Sequence, residues 1–231
     1  FHPLNEKFQA QCVDIEDSVI KDWFEFQREM WSNDSEDLID PQDLLDSFQR
    51  HMSSTDYYFD NFEQNDCDEF LHIFFDLLHK GIKRKVNISL KSYKDLDEGD
   101  KIIKKSYETW KRFYENDYSY IIHNFHSQLL ELTSCPLCEY YTSNHDPIQV
   151  ISLEIPYQAK SLEDCLTGYT QKHKLDGCNM WTCDQCGEKV QPIKKTLLWK
   201  TSDILVILLK RYTNGKKKNS KISYPLLLNM K

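Results

Sequence analysis

Two cysteine pairs offer the chemistry most easily read from this chain: Cys135-Pro136-Leu137-Cys138 and Cys183-Asp184-Gln185-Cys186. Each C-x-x-C hook can present two thiolates to one ion, and four sulfurs in a tetrahedral array suit Zn²⁺ better than other common metals. Pro136 follows the first ligand and Gly187 the last, residue types that favour the tight turns such knuckles need. One hook alone reads equally well as a redox pair or as core cysteines. Two hooks bracketing strand-like segments point to a structural zinc site at Cys135, Cys138, Cys183 and Cys186. Two local disulfides or four buried thiols are the competing accounts.

A second pattern lies at Gln64-Asn65-Asp66-Cys67-Asp68-Glu69. Carboxylates here open a helix over 65–80, where they favour the positive end of its dipole, and Asn65 can cap it. Cys67, Phe70, Leu71, Phe74, Leu77 and Leu78 form its apolar face, and Lys80-Gly81 closes it. Asp66 and Glu69, three apart, can project from one exposed side. On periodicity alone, helix-start chemistry is the simpler account of both.

The elements that must position these groups follow from apolar periodicity. Val19, Trp23, Phe26 and Met30 mark an amphipathic helix over 16–31. Asp40-Pro41 starts a second helix with Asp40 as N-cap and Pro41 at its first position, burying Leu44, Leu45 and Phe48. Residues 87–100 read as irregular, and Ile103, Tyr107, Trp110 and Tyr114 as a helix over 101–116. Tyr120–Ile122 and Gln128–Leu132 read as strands, and Ile151, Leu153 and Ile155 as a half-buried strand. Ser161 to Asp164 is an acidic capping box. Pro192–Trp199 and Ile204–Leu209 are sheet strands, the latter expected to be buried on both faces. Asn214-Gly215 turns the chain, and Ile222–Leu228 returns.

Composition limits the functions available. The 231 residues are 40% hydrophobic and 13% aromatic, a globular balance with room for a sizeable core. No glycine-rich phosphate loop is present. No apolar run reaches a membrane span, the longest being Ile204–Leu209. Eight cysteines without a secretory signal lead to the expectation of a reducing compartment, cytosol or nucleus. The opening Phe1-His2-Pro3 suggests a segment of something longer. The net charge of −8 hides a division: residues 1–80 hold 20 acidic and 5 basic residues, while 81–231 are net basic. The acidic third favours a basic protein surface over nucleic acid.

Together these stretches resemble the ubiquitin-specific protease family, the zinc-ribbon-bearing branch of papain-like cysteine proteases. Gln64 to Leu71 resembles the family's Q-Q-D-A-x-E-F-L helix start. The hooks have the family's order and separation, and Ile204 to Tyr212 followed by Tyr224-Pro225 resembles its palm strand and the following F-P. The resemblance implies an α+β fold shaped as a right hand: residues 1–85 a helical thumb, 86–200 a connecting helix with zinc-ribbon fingers, and 201–231 the start of an antiparallel palm. It implies structural Zn²⁺, ubiquitin and ubiquitinated proteins as partners, and Gln64, Asp66 and Glu69 as contacts to ubiquitin's basic tail. Neither nucleic acid nor membrane is expected as a partner.

The chain also departs from the family. No N-[TS]-C-[YF]-[ML]-N nucleophile box is present. Cys12 lacks its flanking residues, Cys67 takes an alanine position on a face read as buried, and Cys165 and Cys178 match no catalytic position. No histidine lies in a G-H-Y motif. No catalytic residue is therefore assigned, and the nucleophile is expected upstream of Phe1. Ser127 stands where many members have glycine. The resemblance implies thiol-dependent hydrolysis at ubiquitin's C-terminal glycine for a complete parent. An inactive ubiquitin-binding scaffold, a zinc-ribbon nucleic-acid module supported by Lys216–Lys218, and a redox dithiol protein are the alternatives.

Overall fold

A computed structural model describes residues 19–32, 39–53, 66–90, 96–175, 177, 180–213 and 215–229. Gln64, Asn65, Cys12 and Cys178 lie outside them. The chain divides into two compact units, Phe1–Val86 with Asn116–Ile122, and Asn87–Glu115 with His123–Lys231.

Three helices build the first unit: α1 (Val19–Met30), α2 (Gln42–Met52) and α3 (Cys67–Ile82). Their shared core is Val19, Phe48, Met52 and Leu77, flanked by Leu44, Phe70, Ile73 and Phe74. Trp23 meets Phe74 edge-on at 5.2 Å. Met30 and Leu45, expected in the buried stripes, are exposed at the margins of their helices. Pro41, not Asp40, is the N-cap of α2, while Asp40 Oδ1 accepts from the Gln42 N–H at 3.0 Å. The capping bond thus comes from one residue further out. Helix α3 runs past Gly81 to Ile82 instead of closing there. A Cβ on Gly81 would lie 3.0–3.3 Å from Ile20 side-chain atoms, so this glycine lets α1 and α3 approach.

Residues 116–122 fasten onto α3. Arg84 and Tyr118 exchange backbone hydrogen bonds, and Lys83 pairs with Asp117 at 2.9 Å. His79 Nδ1 and Ser119 Oγ are hydrogen-bonded at 2.8 Å. Burial pulls the His79 pKa down, against the attraction of Asp76 and Asp117. Ser119 also accepts the Ile122 N–H at 3.3 Å. That cap explains why Tyr120–Ile122, expected as a strand, begins α5 (Tyr120–Phe125): a short apolar run has no period of its own.

In the second unit, α4 (Glu98–Tyr114) starts at an Asp97 cap and packs on a sheet. The sheet is formed by β1 (Ser127–Ser134), β2 (Tyr141–Ile148), β4 (Lys172–Lys174) and β7 (Ile193–Lys200), ordered β2-β1-β7-β4 and antiparallel throughout. A polar layer lies between helix and sheet. Ser106 Oγ donates to Gln128 Oε1 at 2.6 Å, and Trp199 Nε1 donates to Ser106 Oγ at 2.9 Å. His145 is fully buried against Trp199, with neither ring nitrogen hydrogen-bonded among the described residues. Burial, then Lys105, holds it towards the neutral form. Ser127, at the family's glycine position, binds Ser202: its Oγ accepts the Ser202 N–H at 3.0 Å and ties β1 to the end of β7.

A second core lies under α6 (Leu162–Thr170). Ile151, Leu153, Ile155, Ala159, Leu162, Cys165 and Ile222 are buried together. Ser161 and Asp164 form the capping box read from the sequence. Strand β3 (Val150–Glu154) pairs with β8 (Val206–Lys210) in parallel, register Val150↔Val206. This pair departs from the antiparallel arrangement expected of the palm. The long excursion through α6, the second hook and β7 supplies the crossover that parallel strands require. β8 is half-buried, not enclosed on both faces, because β3 is its sole strand neighbour among the described residues. Ile222–Leu228 forms no strand: Ser223 makes a single bridge to Ser161, and Leu226 and Leu227 are exposed. Among the described residues no helix is long and apolar enough to cross a membrane.

Candidate metal centre

Strand β1 ends at Ser134 and delivers Cys135 directly into the first knuckle. There the Cys135 N–H donates to Tyr140 O at 2.8 Å, and the Glu139 N–H returns to Cys135 O at 3.1 Å. The second knuckle, between β5 (Trp181–Thr182) and β6 (Lys189–Val190), repeats the pattern. Cys183 N–H donates to Glu188 O at 2.9 Å, and Gly187 N–H to Cys183 O at 2.8 Å. The residue after each second cysteine is left-handed: Glu139 at φ 60° and Gly187 at φ 73°. Gly187 adopts this freely, whereas Glu139 does so under strain. The two hooks are therefore conformational copies, and a shared backbone requirement accounts for their like spacing.

All four Sγ atoms lie within 4.8 Å of one another. Two contacts cross between hooks, Cys138 to Cys183 at 3.6 Å and Cys135 to Cys186 at 3.9 Å. A tetrahedron with ~2.3 Å metal–sulfur bonds has edges of about 3.8 Å, so the donor set fits one ion. The separations are far beyond a disulfide bond, and all four cysteines are free thiols. Local disulfides are thereby excluded. Four buried thiols are excluded too: Cys135 and Cys183 are buried, while Cys138 and Cys186 reach the surface.

The electrostatics already favour thiolate chemistry. Burial works to raise the Cys135 pKa, but N–H groups of Cys138 and Leu137 and neighbouring thiols outweigh it and bring it down to about 7. At Cys138 the Tyr140 N–H works downwards, yet burial and the other sulfurs push the thiol up to about 12. One negative charge is thus welcome in the cluster, and further ones await a cation. Val190 packs beside Cys135 and Cys183, and Tyr140 stacks on Trp181 at 6.2 Å. The rings form a wall that the cysteine pattern did not announce. The signal was their placement, Tyr140 two residues after Cys138 and Trp181 two before Cys183.

Asp66 is the N-cap of α3, its Oδ1 accepting the Asp68 N–H at 3.0 Å. Glu69 is exposed in the same turn, so both carboxylates stand at the helix start as read. Cys67, placed by periodicity on the buried face, is exposed at the first helical position, before the apolar stripe has turned inward.

A family model described as ubiquitin carboxyl-terminal hydrolase matches residues 2–231. A probable ubiquitin carboxyl-terminal hydrolase of Acanthamoeba polyphaga mimivirus is 38% identical over 53% of this chain and 28% of its own length. Ubiquitin carboxyl-terminal hydrolase 2 of Gallus gallus is 29% identical over 84% of this chain and 54% of its own. Among solved structures, the SAGA Ubp8/Sgf11/Sus1/Sgf73 DUB module bound to ubiquitin aldehyde matches all of this chain with TM-score 0.68 and 21% identity. The match covers 46% of that chain, so the present sequence spans about half the length of such relatives. At that identity the likeness speaks to fold, a mixed helix-and-sheet DUB architecture with a four-cysteine cluster compatible with a zinc ribbon. By its match from residue 2 to residue 231, the chain belongs to the ubiquitin carboxyl-terminal hydrolase family.

Proposed function

We propose that the chain is part of a deubiquitinating cysteine protease of the cytosol or nucleus. It binds ubiquitin and ubiquitinated proteins, and the complete protein hydrolyses the bond at ubiquitin's C-terminal glycine. The family match over residues 2–231 carries this reading. Solved structures of similar proteins bound to ubiquitin aldehyde or monoubiquitin support it. In this reading residues 1–85 are thumb, 86–200 connecting helix and fingers, and 201–231 the start of the palm. Cys135, Cys138, Cys183 and Cys186 hold Zn²⁺, which supplies a closed structural clasp with no open position for chemistry. Gln64, Asp66 and Glu69 meet the basic tail of ubiquitin, where a carboxylate in the first turn of a helix attracts guanidinium groups. Asp66 can serve both purposes, since the capping bond uses Oδ1.

Nucleophile and general base are expected outside this chain, so two preparations are compared. The intact parent should cleave a ubiquitin–fluorophore substrate and react with a ubiquitin vinyl probe, whereas the present segment should do neither. A parent that binds ubiquitin but resists the probe would be an inactive scaffold, and one that ignores ubiquitin would overturn the proposal. Asp66→Ala with Glu69→Ala should weaken ubiquitin binding more at low than at high salt, because exposed charge pairs are screened. Equal affinity at low ionic strength would remove the tail contact.

A further inference from the structure

From Ile204 to Lys231 the sequence holds seven cations, Lys210, Arg211, Lys216, Lys217, Lys218, Lys221 and Lys231, and no Asp or Glu. Strands β9 (Tyr212–Thr213) and β10 (Lys216–Lys217) form a hairpin in this stretch, with Gly215 at φ 72° in its turn. Two of the cations hold backbone carbonyls. Arg211 Nη1 donates to Ser220 O at 2.9 Å and to Lys218 O at 3.3 Å, and Lys218 Nζ donates to Ile155 O at 3.0 Å. Lys210 stands opposite Glu154 in the β3–β8 register. Lys216, Lys217 and Lys221 remain exposed, and none forms an ion pair among the described residues.

We propose that this hairpin and the segment to Lys221 form a docking surface for an acidic, extended segment of a partner protein. The surface is preorganised, since the inner cations fix the backbone and spare the outer ones. β9 and β10 pair only with each other among the described residues, so an incoming strand can add to an open edge and set carboxylates beside the lysines. Nucleic acid fits less well. Lys217 Nζ sits 5.5 Å from the Tyr212 ring centroid, over a face that base stacking would use. Lysines on an open edge can instead serve only to block aggregation, and in that case no ligand binds. The proposal does not rest on the ubiquitin reading, and its test uses no ubiquitin.

The probe is a short fluorescein-labelled peptide alternating Glu with Val, followed by anisotropy at low and high salt. Salt-sensitive binding is expected, weakened at least about tenfold by Lys216→Glu with Lys217→Glu and Lys221→Glu. The matched triple Lys172→Glu, Lys174→Glu, Lys195→Glu on β4 and β7 should leave affinity unchanged. Should the first triple misfold, Lys216→Ala with Lys217→Ala and Lys221→Ala gives the same reading. No binding by the native chain, equal losses in both triples, or displacement of the peptide by oligothymidine that binds more tightly would each overturn it.

Discussion

Among the described residues, Val190 is the one buried apolar side chain clustered with Cys135 and Cys183, with Tyr140 and Trp181 at the flank. Beneath α6, seven residues from Ile151 to Ile222 are buried together, Leu153 completely. At roughly 1.5–3 kcal/mol for each large apolar side chain removed from water, the second region is held by burial alone and the first is not. The difference lies in the chain length available to each. The second knuckle is a short turn joining strands of two residues, too small to enclose a core, so an ion held by the four thiols would stand in for apolar area.

The contrast can be broken most sharply at the metal. Chelation, or Cys183→Ser, should abolish amide protection in β5 and β6 while β3 and β8 keep theirs, as read by hydrogen exchange. Loss of protection in both regions together would show that the cores are not independent. Leu153→Ala attacks the other side. It should cost about 2–5 kcal/mol in chemical denaturation, with metal content unchanged. Within the knuckles, Glu139→Gly removes a left-handed non-glycine residue and should raise stability by about 0.5–1 kcal/mol, whereas Gly187→Ala should lower it by a similar amount. A loss on Glu139→Gly would mean that its side chain, and not its backbone, matters.

The smallest effect concerns pH. N–H groups of Lys160 and Ser161, then the Ser161 side chain, hold the Asp164 carboxyl below its ordinary value of 3.8. Its support for α6 is therefore complete above that value and is lost as pH falls through the lower native one. Asp164→Asn should flatten the acid limb of the melting temperature without shifting metal loss.

Legibility differed for physical reasons. The hooks were readable because a knuckle is a local backbone pattern whose residue types repeat at Cys135–Glu139 and Cys183–Gly187. The capping box at Ser161 was readable on the same ground, and so was the existence of α3, although Asp66 is its cap where it was read as part of the first turn. Tyr120–Ile122 misled because its helix depends on Ser119, which is held by His79 some forty residues away. The polar layer of Ser106, Gln128 and Trp199 could not be foreseen, since it takes both the pairing of β1 with β7 and the packing of α4 on the sheet to bring these residues together. The exposure of Cys67 turned on where α3 begins, and helix ends are the least certain part of a periodic pattern.

The parallel seam between β3 and β8 carries a further consequence. Chain that leaves β3 at Glu154 comes back at Val206 beside the strand it left, and the stretch between α6 and β7, which holds the second knuckle, takes no part in the seam's pairing. Extra residues in such an excursion add closure entropy only logarithmically, roughly 0.6 kcal/mol per doubling. The stretch that carries the second knuckle can therefore grow or shrink over generations while the seam stays as it is.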